Sequence, residues 1–175
     1  MQIGKNTVHG KRLKRFKLHS NSDYRGNLVS DEKILIVEDE IIVAMALEQK
    51  LLDLEYVIVD TVSTGEDAVK CANQLKPDLI LMDIILKGKM NGIEAAKQIK
   101  DKLDIPIIYL TAYSYSEVAK YASIIEPYEY LVKPFKKSEL NNYIKMSLSN
   151  HRSKNTENTN KALTKFQGFV RATRN

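Results

Sequence analysis

Residues 78–83 read DLILMD, four consecutive apolar side chains closed at each end by an aspartate. A strand built from them shows hydrocarbon on both faces, because successive side chains point to opposite sides. The runs ILIV at 34–37 and IIYL at 107–110 have the same character. Strands of this kind need cover above and below, which parallel sheets obtain from flanking helices. The intervening segments carry the complementary pattern. IIVAMALEQKLLDL, residues 41–54, repeats apolar residues at three- and four-residue spacing and predicts a helix. Strands are expected at 33–37, 56–62, 78–83, 106–112 and 128–133. Helices are expected at 41–54, 65–75 (capped by Ser63 or Thr64), 92–102, 116–125 and 137–149. Five such units predict an α/β fold, a doubly wound five-stranded parallel sheet with helices on both faces.

The charge distribution divides the chain into three. Residues 1–30 hold seven Lys/Arg and one acid, residues 31–149 fourteen and twenty, and residues 150–175 six and one. An acidic body, 31–149, thus lies between a basic, flexible N-terminal extension and a polar basic tail. In the tail, HRSKNTENTNK reads as a linker and ALTKFQGFV as a short amphipathic helix weakened by Gly168. That is too little for a winged-helix or helix-turn-helix domain. Basic ends of this sort are ordinarily solvated, and only Phe16 interleaves an aromatic with the N-terminal cluster, which argues against nucleic acid. The single Cys71 excludes an intramolecular disulfide, and no run of 18 apolar residues exists to span a membrane. The N-terminus lacks the apolar segment of a secretory signal, although an organellar transit peptide is also basic and acid-poor. The expected location is cytoplasmic.

In a doubly wound sheet, the carboxyl ends of the strands converge on one crevice. Here those ends are Glu38-Asp39, Asp83, Thr111 and Lys133-Pro134. Clustered carboxylates removed from water need compensation, and an oxygen-only donor set suits Mg²⁺. Taken one at a time, each residue also has an ordinary explanation: a strand-end lysine, a β-branched strand residue, an aspartate capping a turn.

Four motifs in order, ILIVEDE, DLILMDIILKGKMNGIEAA, IPIIYLTAY and YLVKPF, give residues 33–149 a resemblance to the receiver domain of two-component response regulators, of the stand-alone, single-domain type. The resemblance implies the flavodoxin-like receiver fold. It also implies a phosphorelay role in which Asp83 accepts a phosphoryl group from a sensor histidine kinase or phosphotransfer protein. In that scheme Mg²⁺ is held by Asp39, Asp83 and the backbone carbonyl of Ile85, with Glu38 acting through water. Lys133, the Thr111 hydroxyl and the Ala112 backbone N–H meet the phosphoryl oxygens. Pro134 follows a cis bond, and Tyr130 moves with Thr111 as a switch. Two departures stand out: Glu-Asp replaces Asp-Asp, and the loop after Asp83 has Lys87 in place of a frequent proline and is one residue longer.

The output implied is protein–protein contact through the face of helix 116–125 and strand 128–133, with homodimerisation left open. No enzymatic turnover is expected beyond self-phosphorylation and self-dephosphorylation. One rival reading is a regulator that binds nucleic acid through its basic tails. Another is a haloacid-dehalogenase-like phosphatase, disfavoured because Ile85 stands where that chemistry needs a second acid.

Overall fold

The computed structural model describes residues 31–112 and 130–172. The five strands are β1 (Lys33–Val37), β2 (Val57–Val62), β3 (Leu79–Asp83), β4 (Ile107–Thr111) and β5 (Tyr130–Val132). They form one parallel sheet in the order β2-β1-β3-β4-β5. The helices are α1 (Ile41–Leu52), α2 (Gly65–Leu75), α3 (Gly92–Lys100) and α4 (Lys137–Ala172). The expected helix at 116–125, the first two residues of the expected fifth strand and the N-terminal extension lie outside the described residues.

The three inner strands behave as their composition requires. Every residue of β3 and β4 is buried, and all of β1 except Lys33. Alternation sends Leu35, Val37, Ile80, Met82, Ile107 and Tyr109 to one face, against the alanines of α2 and α3. It sends Ile34, Ile36, Leu79, Leu81, Ile108 and Leu110 to the other, against Leu47 and Leu51 of α1 and Leu140, Ile144 and Leu148 of α4. At roughly 25 cal/mol per Å² of apolar area, these two layers supply most of the drive to fold. The edge strand β2, VIVDTV, is only half buried, and its sequence is correspondingly mixed.

Local signals set the helix starts. Thr64 caps α2 by accepting from Asp67 N at 3.1 Å. Asn91 and Glu94 form a reciprocal capping box on α3, at 2.9 and 3.1 Å. Lys76, in the left-handed region at φ 48°, ends α2 just before Pro77.

The C-terminal tail differs from expectation. The helix expected to stop at 149 continues to Ala172, through the stretch that reads as a linker. Nothing between 150 and 167 breaks a helix, neither proline nor glycine. Elongation from an already packed start adds one hydrogen bond per residue fixed, so a polar sequence suffices. Arg152 pairs with Glu32 at 3.0 Å, and His151 Nε2 lies 2.9 Å from Asp104 Oδ1. The Arg152 pair ties the first turn of the extension to the body.

Candidate functional site

The strand order reverses between β1 and β3, which opens the crevice at their carboxyl ends. Four of the expected residues meet there. Glu38 follows β1 and is fixed by its own N–H donating to Val62 O at 2.9 Å. Asp83 ends β3, Thr111 ends β4, and Lys133 follows β5 with its N–H donating to Thr111 O at 2.7 Å.

Lys133 is the hinge of the electrostatics. Its ammonium donates to Glu38 Oε2 and to Asp83 Oδ2, both at 2.6 Å. Burial works against a charged Lys133, but hydrogen bonds and charge from Asp83 and Glu38 outweigh it and hold its pKa above the ordinary lysine value. For Glu38, burial is the largest influence and raises the carboxyl above its ordinary value, despite the lowering contacts of Lys133. The second oxygen of Asp83, Oδ1, accepts from Ile85 N at 2.9 Å. Asp83 is thus gripped at both oxygens while 9% of its side chain stays accessible.

Glu38, Asp39 and Asp83 each offer a carboxylate oxygen within 4.8 Å of the others. Such a set of hard oxygen donors fits a divalent cation of the Mg²⁺ class. Thr111 is buried at the end of β4, and Ala112 beyond it is exposed. Tyr130 is half-buried and paired in register with Tyr109. The Lys133–Pro134 peptide bond is cis, as expected.

Two contributors were not singled out as site residues by their sequence. Lys87, in the β3–α3 loop, places its ammonium 3.0 Å from Asp39 Oδ2. Gly92, the first residue of α3, donates its N–H to Ile84 O at 3.0 Å, and a Cβ there would lie 1.9 Å from the carbonyl oxygen of Asp83. Only glycine lets the start of α3 close on the backbone that carries Asp83. A glycine directly after an Asn cap, at a strand-to-helix turn, was the available signal.

Known proteins share this sequence pattern and fold. The family model for the response regulator receiver domain matches residues 34–145. The transcriptional regulatory protein PdtaR of Mycobacterium tuberculosis is 38% identical over 120 residues, 69% of this chain and 58% of PdtaR. PhoP of Bacillus subtilis, the alkaline phosphatase synthesis transcriptional regulatory protein, is 38% identical over 67% of this chain and 49% of its own length. The chain therefore spans about half the length of these curated relatives. Among solved structures, the receiver domain of the sensor histidine kinase PA1611 from Pseudomonas aeruginosa superposes with a TM-score of 0.62 at 30% identity. It covers 69% of this chain and 99% of that domain, and is described with a magnesium ion coordinated in its active site cleft. The signal receiver domain of a modulated diguanylate cyclase from Desulfovibrio desulfuricans gives 0.66 at 33% identity, over 71% and 99%.

Proposed function

The chain belongs to the response regulator receiver family, and we propose that it is a Mg²⁺-dependent phosphoacceptor whose Asp83 takes a phosphoryl group from a histidine kinase or phosphotransfer protein. One observation carries this reading above the rest. A strand-end aspartate is held at both oxygens by Lys133 Nζ and Ile85 N, beside a second pair of carboxylates.

The chemistry follows from those contacts. A carboxylate oxygen of Asp83 attacks phosphorus, the O–P bond forms, and the P–N bond to the donor imidazole breaks with its electron pair leaving on nitrogen. Little covalent help is needed, so positioning and charge dominate. Ile85 N–H fixes the rotamer of the nucleophile. Lys133, charged throughout the neutral range, is placed to follow the developing charge on one phosphoryl oxygen. The Thr111 hydroxyl and the backbone N–H of Ala112 are assigned to two others. Asp39, Asp83 and the Ile85 carbonyl would hold Mg²⁺, with Glu38 acting through water. Bound there, the ion supplies positive charge to the phosphoryl oxygens. Thr111 and Tyr130 form the switch in this reading, and the output surface is assigned to residues 116–133, partly beyond the described residues. A cytoplasmic location and the absence of turnover on other substrates belong to the same proposal; among the described residues, no helix is long and apolar enough to cross a membrane.

The test is incubation of the protein with acetyl phosphate and MgCl₂, followed by intact mass. The expected result is one base-labile phosphoryl group, absent in Asp83→Asn. A label that persists in that variant, or none on the unaltered chain, refutes the assignment.

A further inference from the structure

Of the three carboxylates at the crevice, Lys133 serves two, Glu38 and Asp83. The third, Asp39, is met by Lys87 at 3.0 Å. The two partners are unequal: the Lys87 side chain is 79% exposed and that of Asp39 only 10%. The lysine therefore reaches in from solvent over a carboxylate that is itself recessed. Gly88, at φ +125°, turns the chain immediately after it. We propose that Lys87 is a tethered competitor for the cation site, occupying Asp39 in the metal-free protein and displaced from it when a divalent cation binds, so that the lysine sets the cation affinity. The inference rests on reading Glu38, Asp39 and Asp83 as that site.

Two further observations favour competition over a merely structural tie. The loop does not need the pair to hold its course, because its far end is secured by the Asn91–Glu94 capping box and by Gly92 N donating to Ile84 O at 3.0 Å. An ion pair whose lysine is this exposed holds that long side chain in place only weakly. The ammonium also sits in the field of several acids. Asp39, which it contacts, is flanked in sequence by Glu38 and Glu40. A divalent ion entering the same field meets a positive charge already on one of its oxygens. Removing that charge should tighten binding roughly three- to tenfold, a range set by the long, solvated stem that lets Lys87 retreat.

The experiment is calorimetric titration of Mg²⁺ into the metal-free full chain at low ionic strength. The proteins are the unaltered chain and its Lys87→Gln, Lys87→Ala, Lys87→Arg and Asp39→Ala variants. Expected are tighter binding in Lys87→Gln and Lys87→Ala, and near-unaltered affinity in Lys87→Arg. The gain should shrink toward unity in about 1 M KCl, where the screening length is about 3 Å. Unchanged or weaker binding in both Lys87→Gln and Lys87→Ala overturns the inference. If Asp39→Ala has lost binding in that case, the cation site itself stands. If Asp39→Ala binds as the unaltered chain does, the site reading falls and the competitor with it.

Discussion

Replacing Lys133 with methionine should expose how much strain the acidic crevice carries. Methionine keeps most of the stem and removes only the ammonium, which makes both 2.6 Å contacts. The side chains left behind, Glu38 and Asp83, are 0% and 9% exposed. With carboxylate oxygens within 4.8 Å of each other, two unit charges at an effective dielectric near 20 repel by about 3.5 kcal/mol. The loss is capped, because Glu38 can escape by taking a proton. Against the ordinary value of 4.5, that costs about 4 kcal/mol at pH 7.5. The expected destabilisation in the metal-free protein is therefore about 2–4 kcal/mol, in line with breaking a buried pair by removing one partner. For a chain of this size it corresponds to a melting temperature lower by roughly 5–12 °C.

The pH profile carries a sign of its own. Glu38 is raised in the folded state, so below 4.5 it is protonated in both states and costs nothing; stability is lost as pH rises from there through its folded value. Without Lys133 that folded value climbs further, so the gap between variant and unaltered chain is small near pH 4.5 and widens toward neutrality. Lys133 is raised above 10.5, so its contribution is fully present below 10.5 and is lost as pH rises through the folded value. The gap closes again there. Urea and thermal melts in EDTA at pH 5, 7.5 and above 10.5 measure the curve. A gap under about 1 kcal/mol at pH 7.5, or one that does not narrow at pH 5, refutes the reasoning.

Gly92→Ala forces a Cβ against the Asp83 carbonyl oxygen, a backbone atom that cannot rotate away; urea melts should show a loss of about 2 kcal/mol or more, and a change under about 0.5 kcal/mol would mean that α3 shifts freely. Asp39→Ala should cut Mg²⁺ affinity by at least roughly tenfold, and Glu38→Ala by less, since Glu38 is assigned a water-mediated role; calorimetry with the order reversed would exchange the two assignments. Thr111→Ala should leave Asp83 open to acetyl phosphate yet remove the changes in amide exchange that beryllofluoride, a phosphoryl mimic, brings to residues 111–133; unaltered exchange changes in the variant would take Thr111 out of the switch.

The legible part of the structure is that in which composition alone decides. DLILMD and IIYLT are apolar on both faces, and an inner strand covered above and below buries them. Their last residues then had to meet in one crevice, and Glu38, Asp83, Thr111 and Lys133 do. One contact and one helix escaped. The Lys87–Asp39 pair depends on the course of a loop anchored by glycine and an asparagine cap, and nothing in the spacing of the two residues announces it. Residues 151–161 read as a linker because Asn, Ser, Lys and Thr belong to linkers, yet in a chain already helical at Leu148 the same residues simply continue. Intrinsic propensity is a weak prior when a packed helix supplies the nucleus.

The division of labour between the two lysines explains why a fold can keep three carboxylates at the end of its buried strands. Lys133 is recessed, bonded to both Glu38 and Asp83, and its backbone is fixed by the ladder through Thr111 O. Lys87 is exposed and singly bonded, so it can leave. With both in place the metal-free cluster carries one net negative charge instead of three. In the proposed reading, a divalent ion that displaces Lys87 would bring the cluster to neutral, and a phosphoryl dianion on Asp83, in place of its carboxylate charge, would return it to one negative. Each state stays within one charge of balance, which limits the cost of holding it away from water. Removing Lys133 unbalances every state. Removing Lys87 unbalances the empty state most, and so favours whatever cation can fill it.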